Sequence, residues 1–203
     1  MYDIGEDLDL AWRLTARLTT EPGSLLDVGA GPMDTGLLWL FPGCRLRVGV
    51  DSLGLLPVAT GNPHADGLVR RIRAECRYVI GKSDALLFPD GSFDVVVCNN
   101  VLDHVEDVRR SVAELCRVVR RGGAFGLSLD TNSYLGSWLR RLDRWQRPHL
   151  SAYRLHPTDL IIGQLERALT GRGFRIVSSN EASCLGRLVS RRRTQSWVAV
   201  RED

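Results

Sequence analysis

Three aspartates in the first half of the chain each stand where an apolar run stops. Asp27 sits in Ser24-Leu25-Leu26-Asp27-Val28-Gly29-Ala30-Gly31-Pro32, Asp51 closes Arg45 to Val50, and Asp84 follows Tyr78-Val79-Ile80-Gly81. An apolar run ending in an acid and a Gly-x-Gly reads as a strand, then a tight turn. Pro32 suits the first turn of a helix, and Leu37, Leu38 and Leu40 would give that helix an apolar side. Glycine lets a ligand approach the backbone without meeting a Cβ. A helix N-terminus behind the turn favours an anionic group. Asp51 lies 22 positions after Gly29, near the roughly 20-residue spacing at which a carboxylate reaches ribose hydroxyls. Three such strand ends describe one crevice lined for a nucleoside-like ligand. The alternative for Asp51 and Asp84 is a helix-capping role.

Positioning those acids requires strands that alternate with helices. Leu8, Ala11, Trp12, Thr15 and Leu18 recur at helical spacing, so residues 1–20 are expected to hold an amphipathic helix. It would pack on the sheet and could cap the pocket. Leu53 to Val58 is expected to form a short helix. Thr60-Gly61-Asn62-Pro63 should break the chain before a helix from Leu68 to Cys76. Phe93 to Asn99 is continuously apolar, as expected of a parallel strand covered on both faces. Val108, Val112, Leu115, Val118 and Val119 mark a helix from Glu106 to Arg120, ended by Gly122-Gly123. Ala124 to Leu129 is a fifth strand. Thr158 would cap a helix from Asp159 to Leu169. Phe174 to Val177 and Trp197 to Val200 are joined too closely for a crossover helix and should be antiparallel. The pattern predicts an α/β, doubly wound sheet with its ligand at the carboxyl ends of the strands.

Composition narrows the function. With 203 residues, 44% of them hydrophobic, the chain is expected to be one domain, 1–203. No apolar stretch reaches the roughly 18 residues of a membrane span, and the first residues lack a basic n-region, so a cytoplasmic protein without a membrane partner is expected. A net charge of +3 calls for no polyanionic partner. Arg191-Arg192-Arg193 reads as a solvated loop in preference to a phosphate patch. The five cysteines include no C-x-x-C pair, which argues against a disulfide framework and a zinc site, so no metal is expected. Cys98 and Cys116 read as buried small hydrophobes.

Taken together, these blocks resemble a class I S-adenosylmethionine-dependent methyltransferase, most closely the small bacterial members of the methyltransferase type 11 kind. Leu25 to Gly31 is similar to the first motif, and Val48-Gly49-Val50-Asp51 to the ribose-binding acid. Gly81 to Asp94 is similar to the stretch linking the adenine-contacting acid to the fourth strand. Asn99 to Asp107 and Leu115 to Gly123 match later blocks. The family often has a glycine two positions after Gly31, where this chain has Met33. Asp34 replaces the third glycine of a nicotinamide fingerprint.

The resemblance implies a Rossmann-like seven-stranded sheet, mostly parallel with one antiparallel strand, in the order 3-2-1-4-5-7-6. It implies S-adenosyl-L-methionine as methyl donor and S-adenosyl-L-homocysteine as product. Asp27, Gly29, Ala30, Gly31, Asp51, Ser52, Ser83, Asp84, Ala85 and Asn99 would bind the cofactor. Asp27 would hold the loop or the cofactor amino group. Asp51 would take both ribose hydroxyls, and Asp84 the adenine amino group. The acceptor would be a small molecule such as a secondary metabolite, handled by a monomer or homodimer. The alternatives are a methyltransferase of RNA or protein, or a non-catalytic S-adenosylmethionine-binding protein. Among His104, His149, His156 and Tyr153, His104 is the expected general base, because it follows the fourth strand at the crevice mouth. The Arg- and aromatic-rich segment 131–157 would shape the acceptor pocket, through Trp138, Trp145, His149 and Tyr153. It could equally be an amphipathic helix on the sheet.

Overall fold

The computed structural model describes residues 4–18, 20–31, 36–58, 61–131, 134–146, 163–180 and 193–202. An interior strand of the sheet is β1 (Ser24–Val28), whose apolar residues are all buried. It pairs in parallel with β2 (Leu46–Asp51) on one side and β4 (Phe93–Asn99) on the other. Outside β2 lies β3 (Arg77–Ile80), also parallel. Beyond β4 come β5 (Val119–Thr131), β7 (Arg193–Arg201) and β6 (Phe174–Ser179). The seven strands run in the order β3-β2-β1-β4-β5-β7-β6, with β7 antiparallel to both neighbours. This is the α/β sheet, and the order, expected from the sequence.

The chain doubles over at β1, so apolar cores form on both faces. Leu25, Val95 and Val97 point to a core with Leu10 and Leu14 of the first helix, α1 (Ile4–Thr15). Leu26, Val28, Val96 and Cys98 point to the opposite core. That core is covered by α3 (Val108–Val118) and α5 (Gln164–Thr170). The remaining helices are α2 (Pro63–Glu75) and α4 (Tyr134–Gln146).

Several boundaries differ from expectation, each for a local reason. In α1 the buried face carries Leu10, Ala11 and Leu14, whereas Trp12 is exposed. The helix lies on β5 and β7, and none of its described residues lines the crevice at the strand ends. Leu14 packs so tightly on Gly126 that a Cβ there would approach Leu14 Cδ1 to 2.6 Å. Asp9 fastens the helix by accepting from Arg13 Nε (2.8 Å) and from the Ser196 hydroxyl on β7 (2.6 Å).

Asn62-Pro63 starts α2 and does not break it. The Asn62 side chain accepts from the backbone N–H of His64 at 2.9 Å, and Pro63 occupies the first helical turn. Residues 53–58 form no helix; they run as an exposed connection. Gly122-Gly123 belongs to an irregular start of β5, not to a helix end: α3 stops at Val118, and the register against β4 shifts between Phe93 and Val95. Residues 158–162, including the proposed cap Thr158, lie outside the described residues. The described helix begins at Gln164, behind Gly163 at φ +89.

At the amino end of the sheet, the Ser24 hydroxyl donates to Asp94 (2.8 Å) and accepts from the Asp94 N–H (2.9 Å), while Arg120 bonds the same carboxylate. Asp94 is therefore a clamp between β1, β4 and β5, on the edge away from the crevice.

Candidate functional site

The carboxyl ends of β1, β2 and β4 separate at the point where the strand order reverses. An open cleft forms there, lined by Val28, Gly29, Val50, Asp51, Ser52, Gly81, Lys82, Ser83 and Val101. Four of the residues expected at a cofactor site therefore meet in one hollow: Gly29, Asp51, Ser52 and Ser83.

The turn after β1 is held from three sides. Gly29 N–H and Ala30 N–H both donate to Val50 O, at 2.7 and 3.2 Å. Tyr78 Oη lies within reach of Gly31 O (3.3 Å) and Leu53 O (3.1 Å). Asp51 bridges the same segments: Oδ2 accepts from Gly31 N–H at 2.9 Å, Oδ1 from Leu53 N–H at 2.8 Å. A carboxylate offers about four lone-pair positions. Among the described residues each Asp51 oxygen accepts one such bond, and Asp51 lines the cleft.

The two glycines do different work. Gly29 has φ +82, and a Cβ there would lie 2.0 Å from Val101 Cγ2. Its bare backbone thus admits the Val101 side chain. Gly31 has φ +79, and no described residue comes within 4 Å of where a Cβ would stand.

Asp27 is 1% exposed and does not line the cleft. Its Oδ2 accepts from Leu37 N–H at 2.5 Å, and a Cβ on Gly36 would collide with the same oxygen at 2.0 Å. It anchors the far end of the glycine loop. The α-helix expected behind that loop is not found among the described residues. Residues 32–35, with Met33 and Asp34, lie outside them, and the next turn is a 3₁₀ segment, Leu38–Leu40. The amides expected to face an anion belong to residues 32–35 and so lie outside the described residues; on either side of them Gly29 and Ala30 bond Val50 O, Gly31 bonds Asp51 and Leu37 bonds Asp27.

Ser83 is buried, and its hydroxyl shares a 2.9 Å hydrogen bond with Ser111 of α3. Asp84 and Ala85 follow in the same turn, where Ala85 N–H bonds Lys82 O at 3.2 Å. Asp84 is half-buried and accepts no hydrogen bond from the described residues. Asn99 ends β4 beside Ser128 of β5. Asn100 then takes φ 54, a left-handed conformation that Asn tolerates, and donates to Ser128 O at 2.7 Å. Beyond this bend Val101 packs on Gly29. His104 is not among the residues lining the cleft; its side chain is 40% exposed, with Nε2 3.7 Å from Oδ1 of buried Asp103.

Trp138 and Trp145 do not line the cleft; both are exposed on α4. His149, Tyr153 and His156 lie outside the described residues. Among the described residues, no group of three His, Cys, Asp or Glu could hold a metal ion. None of the described helices is long and apolar enough to cross a membrane. Sequence reasoning missed Val101, Tyr78 and Lys82. Val101 and Tyr78 act through packing across distant strand ends, which no local spacing reveals. Lys82 had a signal, as the sole lysine, directly after the third apolar run.

The methyltransferase domain family matches residues 26–127, β1 through most of β5. The uncharacterized methyltransferase YcgJ of Bacillus subtilis is 34% identical over 122 residues, 60% of this chain and 45% of the relative. Human thiol S-methyltransferase TMT1A is 37% identical over 124 residues, 57% of this chain and 46% of the relative. The chain thus spans about half the length of the curated relatives it matches. Among solved structures, the Burkholderia thailandensis 1,6-didemethyltoxoflavin-N1-methyltransferase, with its substrate and S-adenosylhomocysteine bound, superposes with a TM-score of 0.65 at 20% identity. That match covers 99% of this chain and 80% of the other. The strand order, the cleft at its switch point and the match over half the sequence agree: the chain belongs to the methyltransferase domain family.

Proposed function

We propose that this chain is an S-adenosylmethionine-dependent methyltransferase acting on a small molecule, in the cytoplasm. The observation that carries the reading is Asp51. It stands at the end of β2, lining a cleft, with each oxygen tied by one backbone amide of the described residues. A carboxylate so fixed is ready for a vicinal diol. Membership of the family and the names of its relatives, which include thiol and toxoflavin methyltransferases, support the same reading. The free cysteines among the described residues, Cys44, Cys76, Cys98 and Cys116, accord with a reducing compartment.

The residues present fit the cofactor. Gly29, Ala30 and Gly31 would flank the methionine end at the turn, and Asp51 would hold the ribose. Asp84, with no partner among the described residues, would accept from the adenine amino group, with Ser52, Ser83 and Ala85 N–H nearby. Ala30 and Asn99 would shape the methionine end through their backbone, and Asp27 would keep the loop closed from beneath. When bound, the cofactor supplies a methyl group on a sulfonium that needs no further activation to leave. The chain's part is then alignment and exclusion of water.

Gly29 lets Val101 close one wall of the cleft with an apolar side chain. His104, three residues further along the same loop, would accept a proton from an acceptor that still carries one. The test is transfer of labelled methyl from S-adenosylmethionine to a panel of thiols, phenols and amines. Transfer to at least one class, reduced in His104→Ala without loss of cofactor affinity, supports the proposal. Cofactor binding with no transfer to any of them would leave a binding protein and refute the activity.

A further inference from the structure

Amphipathic helices normally bury their apolar face. The helix α4 does the reverse. Leu135, Trp138, Leu139, Leu142 and Trp145 recur at positions that share one side of a helix, and all five are exposed, Trp138 at 60% and Trp145 at 78%. The side turned to the protein carries Ser137, only 2% exposed, with Arg140 and Asp143 half-buried. Ser137 Oγ finds no hydrogen-bond partner among the described residues. The helix therefore spends its polar side inward and displays an apolar stripe with two indoles. Contiguous exposed apolar surface of this kind marks an interaction site.

The position of the stripe narrows the partner. It follows the carboxyl end of β5, the same edge of the sheet as the cleft. Across the crevice, past the ends of β2 and β3, Leu53, Leu55, Leu56 and Ile80 are exposed too. A broad surface could meet both patches at once. Arg141 is exposed beside the Trp138–Trp145 edge of the stripe. Exposed tryptophans flanked by arginine are the composition of a helix lying in a bilayer interface: indoles settle at headgroup depth and arginines meet anionic lipid. A second copy of the chain pairing through α4 would leave the β2–β3 side uncovered.

We infer that α4 is an interfacial helix that docks the mouth of the cleft onto an anionic membrane surface. This contact is peripheral. It replaces the expectation of no membrane partner, which rested on the absence of an apolar span. An acceptor dissolved in the bilayer could then reach the cleft without crossing water.

The experiment is co-sedimentation of the whole chain, without cofactor, with vesicles of phosphatidylglycerol and phosphatidylcholine and with phosphatidylcholine alone. Binding to the anionic vesicles, weakened by salt and accompanied by a blue shift of tryptophan emission, is the expected result. Trp138→Ser with Trp145→Ser should weaken it roughly tenfold or more, and Arg141→Glu should lower its salt dependence. Leu139→Gln, on the same exposed stripe, provides a second variant should the first fail to fold. No binding to anionic vesicles would overturn the inference, as would equal binding by the variants. So would a dimer in light scattering that the tryptophan substitutions turn into monomer, because the stripe would then be a self-interface. None of these outcomes bears on methyl transfer.

Discussion

Gly29 and Val101 should behave as one unit. A Cβ at Gly29 meets two problems at once: φ +82, and Val101 Cγ2 at 2.0 Å. The left-handed backbone costs an alanine about 1–2 kcal/mol. Forcing a methyl into a filled contact costs about another 1–3 kcal/mol. Gly29→Ala should therefore lose about 2–5 kcal/mol, or about 4–20 °C in Tm for a chain of this size. Val101 is half-buried, so Val101→Ala alone should cost about 1 kcal/mol. The double variant removes the collision and keeps only the backbone strain and the lost methyls. It should be no less stable than Gly29→Ala, with a coupling of about 1–3 kcal/mol in a urea-unfolding cycle. Additivity within about 0.5 kcal/mol would refute the claim that Gly29 exists to admit Val101.

Other consequences are equally direct. Asp27→Ala should destabilise by about 1.5–3 kcal/mol in urea unfolding, because it leaves the Leu37 N–H unpaired beneath the glycine loop. Stability should fall in acid. Burial alone would raise Asp9 and Asp94, but hydrogen bonds from Arg13 and Ser196, and from Ser24 and Arg120, hold them below the ordinary 3.8. The Arg117 guanidinium, against some opposing burial, holds Glu114 below 4.5. Folded values below unfolded ones mean stability that is complete above the unfolded values and lost as pH drops through the folded ones. Tm should be flat near neutrality and decline below about pH 4.5, and Arg117→Met should flatten part of that decline. Burial pushes the Cys98 thiol up, and the Cys116 thiol up to about 12. Iodoacetamide at pH 8 should label both only after unfolding, as mass spectrometry of the native and urea-treated chain would show.

Much of this was legible in the residues, because the carboxyl ends of parallel strands converge wherever the chain alternates strand and helix. Asp51 could be placed from the run before it and its distance from Gly29. The closing β6–β7 pair followed from the short link between them. What stayed hidden depends on contacts between segments far apart in sequence. Asp27 serves Leu37 and not the cleft, because the loop folds back beneath the sheet edge. The Gly29 pocket belongs to Val101, 72 positions on. Trp138 and Trp145 sit at helical spacing whichever side of α4 faces inward; only the buried Ser137 decides the question. Asn62-Pro63 carries both breaker and starter signals, and the Asn62 hydrogen bond to His64 resolves them.

The central claim is that the Asp51 cleft holds the adenosine part of the methyl donor. Isothermal titration of S-adenosylhomocysteine into the wild-type chain and into Asp51→Ala tests it most directly. The account predicts saturable one-to-one binding that Asp51→Ala abolishes and His104→Ala leaves intact. No heat of binding in the wild type, or equal affinity in Asp51→Ala, would contradict it.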